Sequence, residues 1–339
     1  MKTEFKDIDK HSSILIIGIG KKKKHLFEIV QPRDFDEMLE TFGACTMSSA
    51  YIEVADMKDD IYVMNIETKH DYIKAATIIR KFEFSMVVPV SMNFYDYFYD
   101  PLENGRKTYY IQYMLQKCSR TKSVFIATTP HASLYEDIDS FLDEIRNENE
   151  RFHANIRSNE HRENLIVVAN NLKNVESANI VLAGMITQTP VSQYPKEYQE
   201  KTLEAIFSID KTDQLGDIAY FKSHMDGSTT VENLLNMYPA SSPIKIFTIY
   251  RICLYIMKEL DYSDYIGSMY TPYKKLSIRK LVEDFLTSLL ETLLIDFKIT
   301  QCFAEEDTGH PGAVVVVVNY EIQPIGFVEG FLPMTLRVS

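Results

Sequence analysis

The chain has 339 residues, of which 45% are hydrophobic and 12% aromatic, enough for a buried core in one large or two ordinary domains. A net charge of −12 argues against a free nucleic-acid binder, which normally presents a basic face. The four cysteines form no CxxC pair, so neither a zinc site nor a disulfide framework is indicated. We see no signal peptide and no apolar run near the ~20 residues of a membrane helix, and we expect a cytosolic protein without membrane insertion.

After a short N-terminal arm, residues 1–12, the part from 13 to 188 alternates strands and helices. Predicted strands cover 14–19, 61–66, 86–90, 123–128 and 164–170, and predicted helices cover 34–42, 48–57, 71–82, 105–120, 138–153 and 175–187. The expected helix caps are Asp34, Ser48 or Ser49, and Asn174. Because the strands are short, continuous apolar runs, we predict an α/β fold with a mostly parallel sheet buried between flanking helices.

The first strand runs into a glycine-rich turn followed by four lysines, "GIGKKKK", as nucleotide-binding loops often do. A P-loop needs Ser or Thr directly after its lysine, and a dinucleotide fingerprint needs a third glycine where Lys23 stands. Neither requirement is met. We interpret Lys21, Lys22, Lys23 and Lys24 as an exposed surface turn and as possible charge contacts.

The second part of the chain has a different pattern. Residues 189–242 read as a loop-rich connecting region with a strand at 218–223, and residues 243–339 read as a C-terminal α+β layer. That layer is predicted to contain helices at 243–260 and 276–297, with Pro243 in the first turn of the former. Leucines on more than one side of the latter predict burial on several sides. Strands follow at 297–304, 312–320 and 334–338, the first two joined by a hairpin-like link at 305–312.

The C-terminal strands carry the clearest functional signal. Five consecutive valines, 314–318, form a strand that would add to any open sheet edge, so we expect the fold to cover both its faces and both its edges. The last strand alternates in side-chain character but is too short to be stable alone. We expect it to complete a sheet that belongs to, or is shared with, another subunit. The candidate intersubunit residues are Met334, Thr335, Leu336, Arg337 and Val338.

Catalytic, metal and cofactor sites are not indicated. The eight histidines do not cluster, and neither HExxH nor GxSxG occurs. The aromatic stretch at 95–101 suits either packing under a loop or a carbohydrate or peptide platform, and we favour packing. The acidic turn at 305–307 lacks the ligand spacing of a calcium loop, so we favour a solvated turn.

The order of elements resembles that of the tail sheath proteins of contractile phage tails, R-type bacteriocins and related injection machines. The opening segment 12–66 is similar to theirs in its strand, its short helix with Phe35, Phe42 and Gly43, and its second helix and strand. The segments "SANIVLAGMITQTPVSQYPKE", "IKIFTIYRICLYIMKEL" and "AVVVVVNYEIQPIGFVEGFLPMTLRV" follow the family order as well. The family's proline-glycine-valine arm and its tryptophan-glycine-alanine-arginine strand are missing.

The resemblance implies a structural role without catalysis or cofactors. It implies hexameric rings that stack helically around a tail tube protein, contract to drive the tube through the host envelope, and contact baseplate and tail terminator proteins. No direct nucleic-acid contact is implied. The location would be the virion tail or another contractile particle, with assembly in the host cytoplasm. Two alternatives stay open: a sheath-related terminator, neck or baseplate-proximal protein, and a nucleotide-binding α/β enzyme.

Overall fold

A computed structural model describes residues 8–55, 60–100, 105–155, 161–195, 202–207, 209, 215–238, 242–260, 270–306, 314–325 and 336–338. The chain divides into two compact units. The first comprises Met1–Pro190 with Tyr194–Phe247, and the second comprises Val191–Gln193 with Thr248–Ser339.

The first unit is built on a six-stranded sheet. Its strands are β1 (Ile14–Ile19), β2 (Ile29–Val30), β3 (Ile61–Ile66), β4 (Met86–Pro89), β7 (Val124–His131) and β8 (Leu165–Asn170), separated in sequence by the hairpin of β5 (Tyr97–Asp100) and β6 (Arg106–Tyr109). The order across the sheet is β2-β3-β1-β4-β7-β8, and only β2 runs antiparallel to its neighbour. The predicted mostly parallel, buried sheet is confirmed, because β3 and β8 are buried along their full length.

Helices cover both faces of this sheet. They are α1 (Phe35–Phe42), α2 (Thr46–Ala55), α3 (Tyr72–Ile79), α4 (Tyr110–Lys117), α5 (Ile138–Asn155) and α6 (Ala178–Gln188). Helices α3, α4 and α5 share one apolar cluster with one face of the sheet, whereas α2 and α6 pack together, with α6 against β4, β7 and β8. Helix α6 is buried from Ala178 to Ile186, as a helix enclosed in a layered α/β core should be.

The outer edge of β8 is covered by the connecting region. The Ala169 amide donates to the Ala219 carbonyl at 2.7 Å, and the Met237 amide donates to the Leu165 carbonyl at 2.9 Å. A small hairpin follows this edge, formed by β9 (Tyr220–Ser223) and β10 (Thr229–Glu232). The predicted strand at 218–223 is therefore present, and the sheet edge is protected from pairing with other chains.

The second unit contains α7 (Phe247–Glu259) except for its first residue, α8 (Pro272–Ser288) and an antiparallel sheet of β11 (Leu294–Glu306), β12 (Val314–Pro324) and β13 (Leu336–Val338). Helix α8 packs on β11 and β12. The predicted C-terminal α+β layer with terminal strands is thus confirmed. The predicted link at 305–312 lies largely outside the described residues.

Two predicted helix caps are wrong. Helix α2 begins at Thr46, and the Ser48 hydroxyl lies inside its first turn, where it accepts from the Cys45 amide at 2.8 Å. Ser49 also lies inside that helix. Helix α6 begins at Ala178, whose amide donates to Asn170 Oδ1 at 2.9 Å, so the cap comes from the end of β8 and not from Asn174. The cap of α1 by Asp34, whose side chain accepts from the Glu37 amide, is as predicted.

The predicted helix at 105–120 is wrong in its first third. Residues Arg106–Tyr109 form β6, which pairs with the aromatic strand β5, and the helix starts only at Tyr110. Phe98 of β5 is buried and stacks on Tyr110 with ring centroids 5.0 Å apart, which holds the hairpin in place. The expected packing of the stretch at 95–101 is therefore correct for Phe98 and for Tyr95, which is half-buried against the same apolar cluster, and wrong for Tyr97 and Tyr99, which are exposed.

The helices of the second unit also differ from their predictions. Pro243 lies in a separate 3₁₀ turn before α7. Helix α8 begins at Pro272 and ends at Ser288, because the Leu289 carbonyl accepts from the amides of Leu293 and Leu294 and turns the chain into β11. Its buried residues, Ile278, Val282 and Leu286, form a single stripe, so burial on several sides is wrong for the chain as described.

Candidate functional site

The carboxyl edge of the parallel sheet is one candidate ligand site, because α/β sheets bind ligands where the strand order reverses. Here β3 lies on one side of β1 and β4 on the other, so this crevice opens at Gly18. A Cβ on Gly18 would lie 2.8 Å from Val90 Cγ2 and 3.0 Å from Met47 Cβ. The Ser91 hydroxyl accepts from the Ile19 amide at 3.1 Å. Protein side chains therefore already occupy the space beside the strand end.

The glycine–lysine turn is held by one buried side chain, Asn65 at the end of β3. Asn65 Oδ1 accepts from the Gly20 amide at 2.8 Å, and its Nδ2 donates to the carbonyls of Lys22 and Lys24 at 2.9 Å each. The Lys22 amide donates to the Phe42 carbonyl at 2.9 Å. A phosphate loop needs its amides free to point at the anion. Since two amides of this turn already have internal acceptors, the geometry argues against a phosphate cradle.

The four lysines of this turn are all exposed, as predicted for a surface turn. Lys22 Nζ donates to the Glu40 carbonyl at 2.8 Å, and Lys23 pairs with Glu67. Lys21 and Lys24 make no ion pair with any other described residue. Their interpretation as charge contacts with another subunit stays a prediction. Asn65 was missed at the sequence level, although a lone amide in the apolar strand "IYVMNI" was a signal for a buried polar role.

The second candidate site is the C-terminal sheet. Strands β11 and β12 pair from Leu294 opposite Pro324 to Glu306 opposite Val314. The terminal residues Leu336, Arg337 and Val338 pair with Ile322, Glu321 and Tyr320 of the same chain, whereas Met334 and Thr335 lie outside the described residues. A single chain does not test whether a neighbouring subunit receives this strand, so the intersubunit role stays a prediction.

The five-valine strand is not covered as expected. One edge of β12 pairs with β11. Among the described residues, the other edge pairs with β13 only at Tyr320–Ile322, so residues 314–319 have no partner strand on that side. The outer edge of β11 has no partner strand in this part of the chain either. Val314 and Val315 are each 42% exposed and Ile295 is 57% exposed. Within the described residues the expectation of full cover fails, because the three-residue β13 is the only strand besides β11 that pairs with β12 there.

Helix α8 presents an unusual outward face. Its first half carries four basic residues, of which Arg279 and Lys280 are exposed and Lys274 and Lys275 are half-buried, with Tyr273 exposed beside them. Glu283 and Asp284 follow in the second half. The helix dipole favours acids at the start and bases at the end, so this order of charges opposes it. An arrangement that weakens the free helix is typical of charges that serve a contact.

A charge cluster in the first unit was not foreseen, because its members are far apart in sequence. Asp217 Oδ1 lies 2.6 Å from Lys245 Nζ, and Asp217 Oδ2 lies 3.4 Å from His153 Nε2. Burial raises the pKa of Asp217, but the hydrogen bonds and positive charges of His153 and Lys245 outweigh it, so the pKa lies below its usual value. The cluster ties the connecting region to α5 and has a structural role.

Other site classes find no support in the described chain. Among its residues, no group of three or more His, Cys, Asp or Glu side chains is arranged to hold a metal ion. None of the helices that the structure describes is long and apolar enough to cross a bilayer.

No protein-family model and no curated protein matches the sequence. Solved structures do match over nearly the whole of both chains. A chain of the contracted anti-feeding prophage baseplate has 13% identity and a TM-score of 0.66, covering 99% of this chain and 95% of its own. A chain of the contracted sheath complex of the extracellular contractile injection system PVC has 12% identity and a TM-score of 0.65, and the match covers 95% of this chain and 90% of that one.

A third structure, the sheath tail protein from Listeria innocua, has 10% identity and a TM-score of 0.64, covering 97% of this chain and 94% of its own. Identities this low carry information on architecture alone. The layered first unit and the terminal antiparallel strands are what the sheath resemblance implied, and that expectation of fold is confirmed. This chain has the fold of the sheath proteins of contractile tails and injection systems.

Proposed function

We propose that the chain is a structural, sheath-like subunit that assembles with copies of itself. The observation that carries this proposal is the long β11–β12 strand pair, which has exposed valines and, among the described residues, edges without a partner strand. Such an edge pairs readily with a strand from another chain. The three-residue β13, whose own-chain partner covers only Tyr320–Ile322, is the strand to be exchanged.

If each subunit donates its last strand to the next subunit and receives one from the previous subunit, the contact is head-to-tail. A contact of this type generates rings if the rotation closes and helical filaments if it does not. The proposed assembly has six copies per ring, with rings stacked around a tail tube and bounded by baseplate and tail terminator proteins. The similar PVC and anti-feeding prophage structures are described as contracted. We infer that contraction is a rigid-body rotation in which the strand links persist and no nucleotide is hydrolysed.

The location that follows is a contractile particle, such as a phage tail during genome ejection, after assembly in the host cytoplasm. For the tube contact we propose the outward face of α8. The first half of this helix is basic, which opposes the helix dipole, and its exposed Arg279 and Lys280 would be compensated by an acidic tube surface. Exposed Tyr273 and Leu276 add apolar area beside the charges.

Removal of residues 333–339 tests the assembly proposal. We expect the variant to keep the circular dichroism of the wild type, because the βα core is complete without these residues. We also expect it to form no tubes or rings in negative-stain images. Leu336→Pro should act similarly by removing an amide from the strand, whereas Leu336→Ala keeps the amide and serves as the matched control. Normal tubes from the truncated chain would disprove strand exchange.

A sheath-related protein at one end of the particle is the second candidate, since two of the similar structures are of a baseplate. Single rings without stacking, formed by the wild type over a range of concentrations, would favour it over a sheath. A nucleotide-binding enzyme is the third candidate and rests only on the glycines and lysines of the first turn. Micromolar ATP binding in calorimetry, lost in Lys21→Ala with Lys22→Ala, would establish it, and we expect no binding by either protein.

A further inference from the structure

We propose that the turn of Lys21–Lys24 in one copy docks on the outward face of α5 in the next copy. This contact rests on the proposed self-assembly and names a second, side-chain-mediated joint between subunits of the proposed assembly. It lies entirely on surfaces of the first unit and is separate from the strand exchange of the second.

The lysine turn is rigid before any partner binds. Asn65 is fully buried and fixes the backbone at Gly20, Lys22 and Lys24. A preorganised loop loses little backbone entropy when it binds. Lys23 is paired with Glu67, but the other three exposed charges of the turn repel one another at short range, and an anionic surface would relieve this repulsion.

The outward face of α5 carries an excess of negative charge. Asp139, Asp143 and Glu150 are exposed and share this side of the helix, with Arg146 as the cation among them. Asp139 and Asp143 are four residues apart, a spacing at which like charges destabilise a helix. Arg146 pairs with Asp143 at 3.2 Å, whereas Asp139 and Glu150 have no ion pair among the described residues. A cationic surface laid on this face would compensate the excess.

A second copy of the chain is the occupant that the charges favour. The chain has a net charge of −12, and the lysine turn is its only run of four consecutive basic residues. None of the ion pairs in the described chain joins this turn to α5. When the turn of each copy docks on α5 of the next copy, the contact is heterologous and can repeat from copy to copy around a ring or along a filament. Complementary potentials would also fix the register of the joint.

A charge swap tests the contact. The first variant is Lys21→Glu with Lys24→Glu, and the second is Asp139→Lys with Glu150→Lys. These four residues have no ion pair in the described chain, so their reversal should leave the fold intact. Each variant alone should lose tubes and rings at low ionic strength. An equimolar mixture of the two, or both changes in one chain, should restore assembly, because acidic turns then meet basic helices.

The matched control is Arg80→Glu with Lys81→Glu, a similar reversal of two exposed cations at the end of α3, and it should assemble as the wild type does. Circular dichroism checks the folding of every variant. If the α5 reversal unfolds the helix, Asp139→Asn with Glu150→Gln replaces it and should weaken assembly in the same direction.

The outcomes separate this contact from the proposed function. If the wild type forms no assembly, both fail. If the wild type assembles and folded reversal variants assemble equally well, or if the swap restores nothing, only this contact is wrong. A turn variant that assembles normally but loses affinity for an added nucleic acid would also overturn it, by assigning the lysines to a different partner.

Discussion

The Asn65 carboxamide, buried at the end of β3, accepts a hydrogen bond at 2.8 Å from the amide of Gly20, which follows the neighbouring strand β1. This single side chain determines the shape of the lysine turn, because it also holds two of the turn's carbonyls. What resembles a nucleotide loop in the sequence is a closed turn in the structure.

We predict that Asn65→Ala lowers the free energy of unfolding by about 2 kcal/mol, because it leaves the half-buried Gly20 amide and two backbone carbonyls without their partner. Urea unfolding followed by circular dichroism measures this change. The control is Asn147→Ala on the exposed side of α5, which should shift the value by less than about 0.5 kcal/mol. An Asn65→Ala protein as stable as the control would show that the turn is held by other contacts.

The cluster of Asp217 and Lys245 predicts a pH dependence of stability. The pKa of Asp217 is lower in the folded protein than in the unfolded chain, so its contribution is present above about pH 4 and is lost as the pH falls through the folded value. Asp217→Asn should therefore weaken the loss of stability in acid. Unfolding curves of both proteins from neutral to acid pH measure the difference.

We further expect Lys245→Met to lower stability at neutral pH by about 1.5–3 kcal/mol, since a charged hydrogen bond is lost and a largely buried carboxylate loses its nearest cation. His153 would remain as the second partner of Asp217. The control is Lys173→Met, which removes an exposed ion pair with Glu204. If both variants lower the free energy of unfolding equally, the cluster is no more stabilising than a surface ion pair.

The exposed valine edge predicts a surface variant that blocks assembly alone. Val315→Lys should leave folding unchanged, because the side chain is already half-exposed, and should stop a neighbour's strand from pairing, because charges protect edge strands. Imaging and sedimentation of the purified protein measure the effect. Ile52→Lys, at an equally exposed position on α2, is the control and should assemble normally.

A salt series should distinguish the two proposed contacts between subunits, the charge contact of the lysine turn and the strand exchange. Screening shortens electrostatic interactions to about 8–10 Å near physiological ionic strength and further above it. We expect near-molar salt to weaken the contact made by Lys21–Lys24 while strand pairing persists, so tubes should loosen without dissociating to monomers. Sedimentation across a salt series follows this change, and assembly that is indifferent to salt would indicate strand and apolar contacts alone.

The layered sheet was predictable because its signal is local. Strands such as β1 and β3 are continuous apolar runs, and the caps and stops of α1 lie within one turn of that helix. Features that depend on distant partners were not predictable. The cap of α6 comes from Asn170, and β6 forms because β5 lies beside it. The open edge of β12 likewise follows from how few residues β13 contributes.

The hydrogen bonds of Asn65 make the backbone shape of the lysine turn independent of the charges on its side chains. The backbone path is set by an amide in β3 and by Gly20, where a Cβ would lie 2.8 Å from Asn65 Oδ1. The side chains of Lys21 and Lys24 contribute no described ion pair to that path. Substitutions at these two positions can therefore retune the surface potential of a subunit without altering its fold, which leaves the turn free to diverge as its contacts change.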